Sequence, residues 1–177
     1  MYTKTITHFG TKGMHWGVRL GPPYPLNEQA RGIKKLSKEL SGLRYKEFTK
    51  LMSAKEVIDE GAGSCHDQVM FTVDKLRSLG LEPEVHFFIE SDDKNQGGMT
   101  HSFASCVFND RVLWIENAWA SQAGIHAYKT REEMLNDVSS KWESNDSFPY
   151  LYNGIADLSK WKPGADLQDL LDSVTWN

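Results

Sequence analysis

The stretch Gly61-Ala62-Gly63-Ser64-Cys65-His66-Asp67-Gln68 constrains this chain more than any other. Its glycines end whatever precedes them. Directly behind them Val69, Met70, Val73, Leu76 and Leu79 recur at steps of three and four, the period of a helix with one buried face, until Gly80 stops it. Ser64 is a good N-cap, which places Cys65 in the first turn, where unpaired backbone N–H groups and the positive end of the helix dipole favour an anion. A thiolate is such an anion. A free cysteine with pKa about 8.5 is only ~3% ionised at pH 7, and lowering that pKa to about 6 raises the thiolate fraction roughly thirty-fold. The plain alternative is a small buried cysteine, the commoner fate of a lone one. The residues around Cys65 decide between the two.

A chain of 177 residues, 40% of them hydrophobic, suits one globular domain with a sizeable core. The net charge of −4 and pI of about 5.9 leave no basic stripe to neutralise phosphates, so nucleic acid is not an expected partner. The apolar runs Val85 to Ile89 and Val112 to Ile115 are far shorter than the ~20 residues that cross a bilayer, and nothing after Met1 has the apolar core of a secretory signal. A cytoplasmic protein without a membrane partner is therefore expected. In that compartment Cys65 and Cys106 are free thiols rather than a disulfide.

Residues 1–26 carry Gly10, Gly13, Gly17 and Gly21, then Pro22, Pro23 and Pro25, and predict an extended arm ahead of one α+β domain over 27–177. From Asn27 to Leu43 the spacing of Ile33, Leu36 and Leu40 predicts a surface helix, which Tyr45 to Leu51 extends. Ser53 and Glu56 have capping-box spacing for a short helix over Ala54 to Glu60. Strands are expected over Glu84 to Glu90, Met99 to Phe108, Arg111 to Ala118 and Gly124 to Tyr128, with a polar loop from Ser91 to Gly98 and a tight Asn109-Asp110 hairpin turn. Thr130 caps a helix reaching about Lys141. Asn145 to Gly164 is read as loop, and Asp166 to Val174 as a final short helix.

A thiolate that turns over needs a proton donor for the leaving group, and an imidazole near its own pKa serves. Of the six histidines, His101 is the strongest candidate, because Thr100-His101-Ser102-Phe103 opens a strand beyond Gly97-Gly98. With a two-residue turn at Asn109-Asp110, Phe103 sits opposite Glu116 and His101 opposite Ala118, so Glu116 shares the face of His101 and can hold its ring. A one-residue slip would offer Asn117 instead. Cys106 has the opposite parity and is expected in the core. Asp67 and Gln68 would cap the helix or shape the cleft. Trp114 and Trp119 fill the sheet faces, with Trp119 also placed to border a substrate groove. Cys65, His66 and His101 lack zinc-site spacing, so neither metal nor cofactor is expected.

Gly63-Ser64-Cys65-His66-Asp67-Gln68 on a helix, followed by Thr100-His101-Ser102-Phe103 and Trp114-Ile115-Glu116-Asn117 on strands, resembles the transglutaminase-like branch of papain-like thiol enzymes over roughly residues 60–128. The resemblance implies a nucleophile helix packed on an antiparallel sheet, and activity as a peptidase, amidase or acyltransferase on a peptide or protein substrate. Glu116 or Asn117 stands where that family usually has aspartate. In the arm, Gly13-Met14-His15-Trp16-Gly17-Val18-Arg19 resembles a Gly-Met-Lys-Trp-Gly-Val-Arg segment of phage and prophage proteins, with His15 in place of the lysine. That likeness implies phage or prophage origin and docking to a phage or host protein through residues 9–19. The other reading of the arm packs Trp16 on its own domain. Two classes follow: a thiol enzyme with a Cys65, His101 and Glu116 or Asn117 triad, or a phage-encoded binding or structural protein on the same scaffold without turnover.

Overall fold

The structure, a computed structural model, describes residues 28–90, 99–142 and 151–177, together with the backbone of residues 14–15 and 18–19. Strands β1 (Met14–His15) and β2 (Val18–Arg19) pair antiparallel within the arm. The remainder of the docking segment read at residues 9–19, and the loop read over 91–98, lie outside the described residues.

Helix α1 (Glu28–Leu40) buries the stripe Ile33, Leu36 and Leu40. The helical pattern does not continue beyond it: β3 (Arg44–Tyr45) instead pairs in parallel with β4 (Ala62–Gly63), on either side of α2 (Ala54–Glu60). The Ser53–Glu56 capping box starts α2 as its spacing predicts. Then come α3 (Cys65–Ser78), β5 (Pro83–Glu90), β6 (Met99–Phe108), β7 (Arg111–Glu116), a 3₁₀ turn at Ala120–Gln122, β8 (Gly124–Tyr128) and α4 (Arg131–Trp142). The described chain closes with β9 (Leu151–Ala156), α5 (Leu167–Leu171) and β10 (Val174–Trp176). Thus a strand runs through the segment read as loop over 145–164. The last helix stops three residues early and gives way to a further strand. The strand from Arg111 ends at Glu116 rather than Ala118, because the N–H groups of Asn117 and Trp119 turn inward to the Glu116 carboxylate.

The fold is α+β, with one six-stranded sheet in the order β10-β9-β5-β6-β7-β8 and every neighbour antiparallel. Strand alternation sends Val85, Phe87, Ile89 and Ala104 to the face covered by Val69 and Val73 of α3. It sends Phe88, Phe103 and Trp114 to the face covered by Met134, Val138 and Trp142 of α4. α1 and α2 extend the α3 layer through Leu36, Leu40, Val57, Phe71 and Leu76, and Cys106 is buried in that cluster, on the side its parity indicates. Each of these large side chains contributes on the order of 1.5–3 kcal/mol by leaving water. Helix α3 is therefore packed along its length between the sheet and the α1–α2 layer.

Candidate active site

The start of α3 is built by reciprocal hydrogen bonds. The Asp67 carboxylate accepts the Ser64 N–H at 2.9 Å, the Ser64 hydroxyl at 2.7 Å and the Met52 N–H at 2.8 Å, while Ser64 Oγ accepts the Asp67 N–H at 3.3 Å. Gly63 permits this return, since a Cβ there would lie 2.9 Å from Asp67 Cβ. Cys65 and His66 are the first two helical residues, and their N–H groups have no carbonyl within the helix to bind.

The other half of the site comes from the β6–β7 hairpin. Asn109 and Asp110 take φ of 50° and 57°, the conformation of a two-residue turn whose twist suits a hairpin, and Phe108 pairs with Arg111. That register makes Glu116 the diagonal neighbour of His101. The His101 Nε2–H donates to Glu116 Oε2 at 2.7 Å, and Glu116 Oε1 accepts the N–H groups of Asn117 at 2.8 Å and Trp119 at 3.0 Å. The imidazole stacks on Trp142 at 5.2 Å between ring centres and meets Trp119 edge-on at 5.9 Å. With Nε2 committed to Glu116, Nδ1 is the ring atom left to face Cys65, whose thiol is near enough for the two groups to shift each other's ionisation. This approach joins residues assigned to opposite faces of the sheet. It occurs where the β6–β7 ladder has already ended, at the Ala104–Ile115 pair.

The three groups set one another's charge. Burial opposes ionisation of the thiol, but the imidazoles of His66 and His101 outweigh it and bring Cys65 down to about 5. Burial likewise opposes a charged His101, yet the Glu116 carboxylate and then the Cys65 sulfur raise it well above the usual imidazole range. Both shifts run toward a negative sulfur and a positive ring, with Glu116 hydrogen-bonded to that ring. Cys106 has only burial acting on it and is pushed up to about 11.

The remaining residues singled out in the sequence fall nearby with different partners. Asn117 does not bind the ring: its amide donates to Gln68 Oε1 at 2.6 Å, and Gln68 Nε2 donates to the Gly63 carbonyl at 2.8 Å. Both ends of the Gln68 amide are thus engaged in tying β7 to the start of α3. Trp119 is half-buried between His101 and Trp142. Sequence reasoning gave His66 no part in the site, whereas it lies beside the sulfur, 2.9 Å from Ser102 Oγ. Adjacency to Cys65 was the one available signal. The cavity touching the thiol is about 10 Å³, lined by Leu40, Cys65, Gln68, Ser102, Glu116 and Asn117 among others, and Cys65 is 5% exposed. Among the described residues no group of three His, Cys, Asp or Glu side chains is arranged to hold a metal ion.

No family model matches the sequence, and no curated protein matches it. Among solved structures the chain is similar to Legionella pneumophila LapG, with a TM-score of 0.40 and 12% identity, over 66% of this chain and 78% of that one. At that TM-score the likeness carries neither family nor activity to this protein.

Proposed function

We propose that the protein is a thiol enzyme of the papain-like, transglutaminase-like kind, attacking an amide or related acyl carbon of a peptide or protein through Cys65. The observation that carries this reading is the buried 2.7 Å hydrogen bond from His101 to Glu116, with the Cys65 thiol at the helix start drawn down by that same imidazole. The Cys65 thiolate adds to the acyl carbon. As the C–N bond breaks, the imidazolium of His101 gives its Nδ1 proton to the departing amine and a thioester remains. The neutral imidazole then takes a proton from water, whose oxygen displaces the sulfur as the acid leaves, and the ion pair is restored. An amine in place of water makes the same chemistry an acyl transfer. Glu116 holds the ring and its tautomer, and the Cys65 N–H at the helix start faces the developing oxyanion.

One observation favours the second reading, a phage-encoded binding or structural protein on this scaffold without turnover: the thiol is 5% exposed and the cavity beside it is about 10 Å³. Iodoacetamide labelling against pH separates the two, with Cys106 as the internal control. The midpoint is the better readout, because a lower pKa also lowers the intrinsic nucleophilicity of the thiolate and compresses rate differences. An enzyme should label at Cys65 with a midpoint near pH 5, ahead of Cys106 and absent in Cys65→Ala. Labelling no faster than Cys106, or a midpoint near the ordinary ~8.5, would leave the scaffold reading.

A further inference from the structure

Besides the residues of the proposed triad, one polar side chain at the site is buried without an assigned task. His66 is 1% exposed and follows the nucleophile directly. Its ring stacks on Phe87 at 5.1 Å and is met edge-on by Phe48 at 4.9 Å and Trp161 at 6.0 Å. A phenylalanine would fill such a slot with no polar atom to satisfy, whereas an imidazole brings two nitrogens whose burial costs free energy unless each finds a partner. Both do: Nδ1 lies 2.9 Å from Ser102 Oγ and Nε2 lies 3.4 Å from Thr100 Oγ1.

Those two hydroxyls belong to the residues on either side of His101. In a strand, positions 100 and 102 point to one face and 101 to the other, so clasping the first two from the α3 side fixes the backbone between them. We propose that His66 is a positioning residue of the thiol site, whose ring, clasped by Thr100 and Ser102, holds the His101 strand against the start of α3 and stands beside the Cys65 sulfur. The inference rests on the thiol-enzyme reading and adds to it a second imidazole. A displacement of about 1 Å at such a site costs roughly a hundred-fold in rate, which is the scale on which a clasp of this kind matters. His66, the next residue along α3 from Cys65, is also the first of the groups that draw the thiol down against burial. The other ionisable groups facing Cys65 are Asp67 of its own helix, His101 of β6, Glu116 of β7 and Tyr45 of β3.

The test is the pH midpoint of Cys65 alkylation in the full chain for wild type, His66→Phe and Ser102→Ala, with folding checked by near-ultraviolet circular dichroism. His66→Phe keeps the stacking and should move the midpoint up by about one pH unit, roughly a five-fold loss of thiolate at pH 5. Ser102→Ala should move it the same way by less. A low midpoint in wild type that survives unchanged in folded His66→Phe overturns this inference alone. If His66→Phe does not fold, an unchanged midpoint in Ser102→Ala overturns it. An ordinary midpoint in wild type overturns the thiol-enzyme reading and this inference with it.

Discussion

His101 and His86 stand two pairs apart on the β5–β6 ladder, each buried and each against Phe103, at 6.3 and 4.9 Å between ring centres, yet their protonation runs in opposite directions. At His86, burial and then the Arg131 guanidinium push the imidazole down to about 3. Its Nε2 meets Ser105 Oγ at 2.8 Å, and the one carboxylate in range, Glu84 at 3.9 Å, is exposed and already paired with Arg131. At His101 the carboxylate is buried with the ring and 2.7 Å away. Burial, reinforced by a nearby cation, therefore favours a neutral histidine in this sheet, and a buried carboxylate together with the Cys65 sulfur favours a charged one. What distinguishes the two rings is the buried Glu116 carboxylate and the Cys65 sulfur at His101, against the Arg131 guanidinium at His86.

The largest test of that difference is His101→Ala. Removing the ring takes away an imidazole that draws the thiol down, so the alkylation midpoint of Cys65 should rise by two pH units or more. Breaking a buried pair typically costs about 3–5 kcal/mol, and here the low end is expected because Glu116 keeps the N–H groups of Asn117 and Trp119. Urea unfolding measures the second quantity. Next comes Glu116→Gln, which gives His101 a neutral neighbour as His86 has. The imidazolium loses its strongest support, so the midpoint should rise by about one unit, less than in His101→Ala. A midpoint that stays near pH 5 in Glu116→Gln would break the comparison.

Stability against pH sharpens it further. Cys65, depressed to about 5, contributes stability that is complete above its unfolded value of about 8.5 and is lost as pH falls toward 5. His101, raised to about 10, contributes stability that is complete below about 6.5 and is lost as pH rises through 10. Over about pH 6.5–8.5 the two slopes oppose each other, and the site should give a plateau. Below it, His86 adds to the fall, because its unfolded form takes a proton below about 6.5 that the folded form refuses until about 3. Each group supplies at most about 1.4 kcal/mol per pH unit. Unfolding midpoints from pH 4.5 to 10 should show the plateau, and Cys65→Ala should roughly halve the slope between about pH 5 and 6.5.

Much of this arrangement is legible from the chain, and the exceptions have physical causes. Ser64 and the period behind it place the thiol at a helix start. Asn109-Asp110 set the turn length, and strand alternation then puts Glu116 rather than Asn117 beside His101. Strand β9 is hidden within the segment read as loop because Gly154 weakens its pattern as a strand. Gly154 is there for close approach, since a Cβ would lie 2.4 Å from Val174 Cγ1 on β10. The final helix looks longer than it is because Ser173 and Val174 are drawn into pairings with Asp157, Trp161 and Ala156 that no local pattern displays. The environment of His66 is equally silent in sequence, its partner Ser102 being 36 residues away.

The smallest effect is expected at His86. Arg131→Gln removes the second cause of the low His86 pKa and frees the Glu84 carboxylate 3.9 Å from Nε2, so both changes favour the imidazolium and the pKa should rise. Burial is the larger cause and is untouched, so the rise should stop short of the ordinary ~6.5. The Arg131–Glu84 pair is largely exposed on both sides, which limits the change in stability at pH 7 to less than about 1 kcal/mol. The Cys65 midpoint should not move, since Arg131 is not among the groups that set it. Imidazole resonances of His86 followed by NMR titration measure the first effect and alkylation the last. A His86 pKa at or above the ordinary value would mean that charge, not burial, keeps this ring neutral, and the contrast with His101 would then have to be drawn from Arg131 instead of from Glu116.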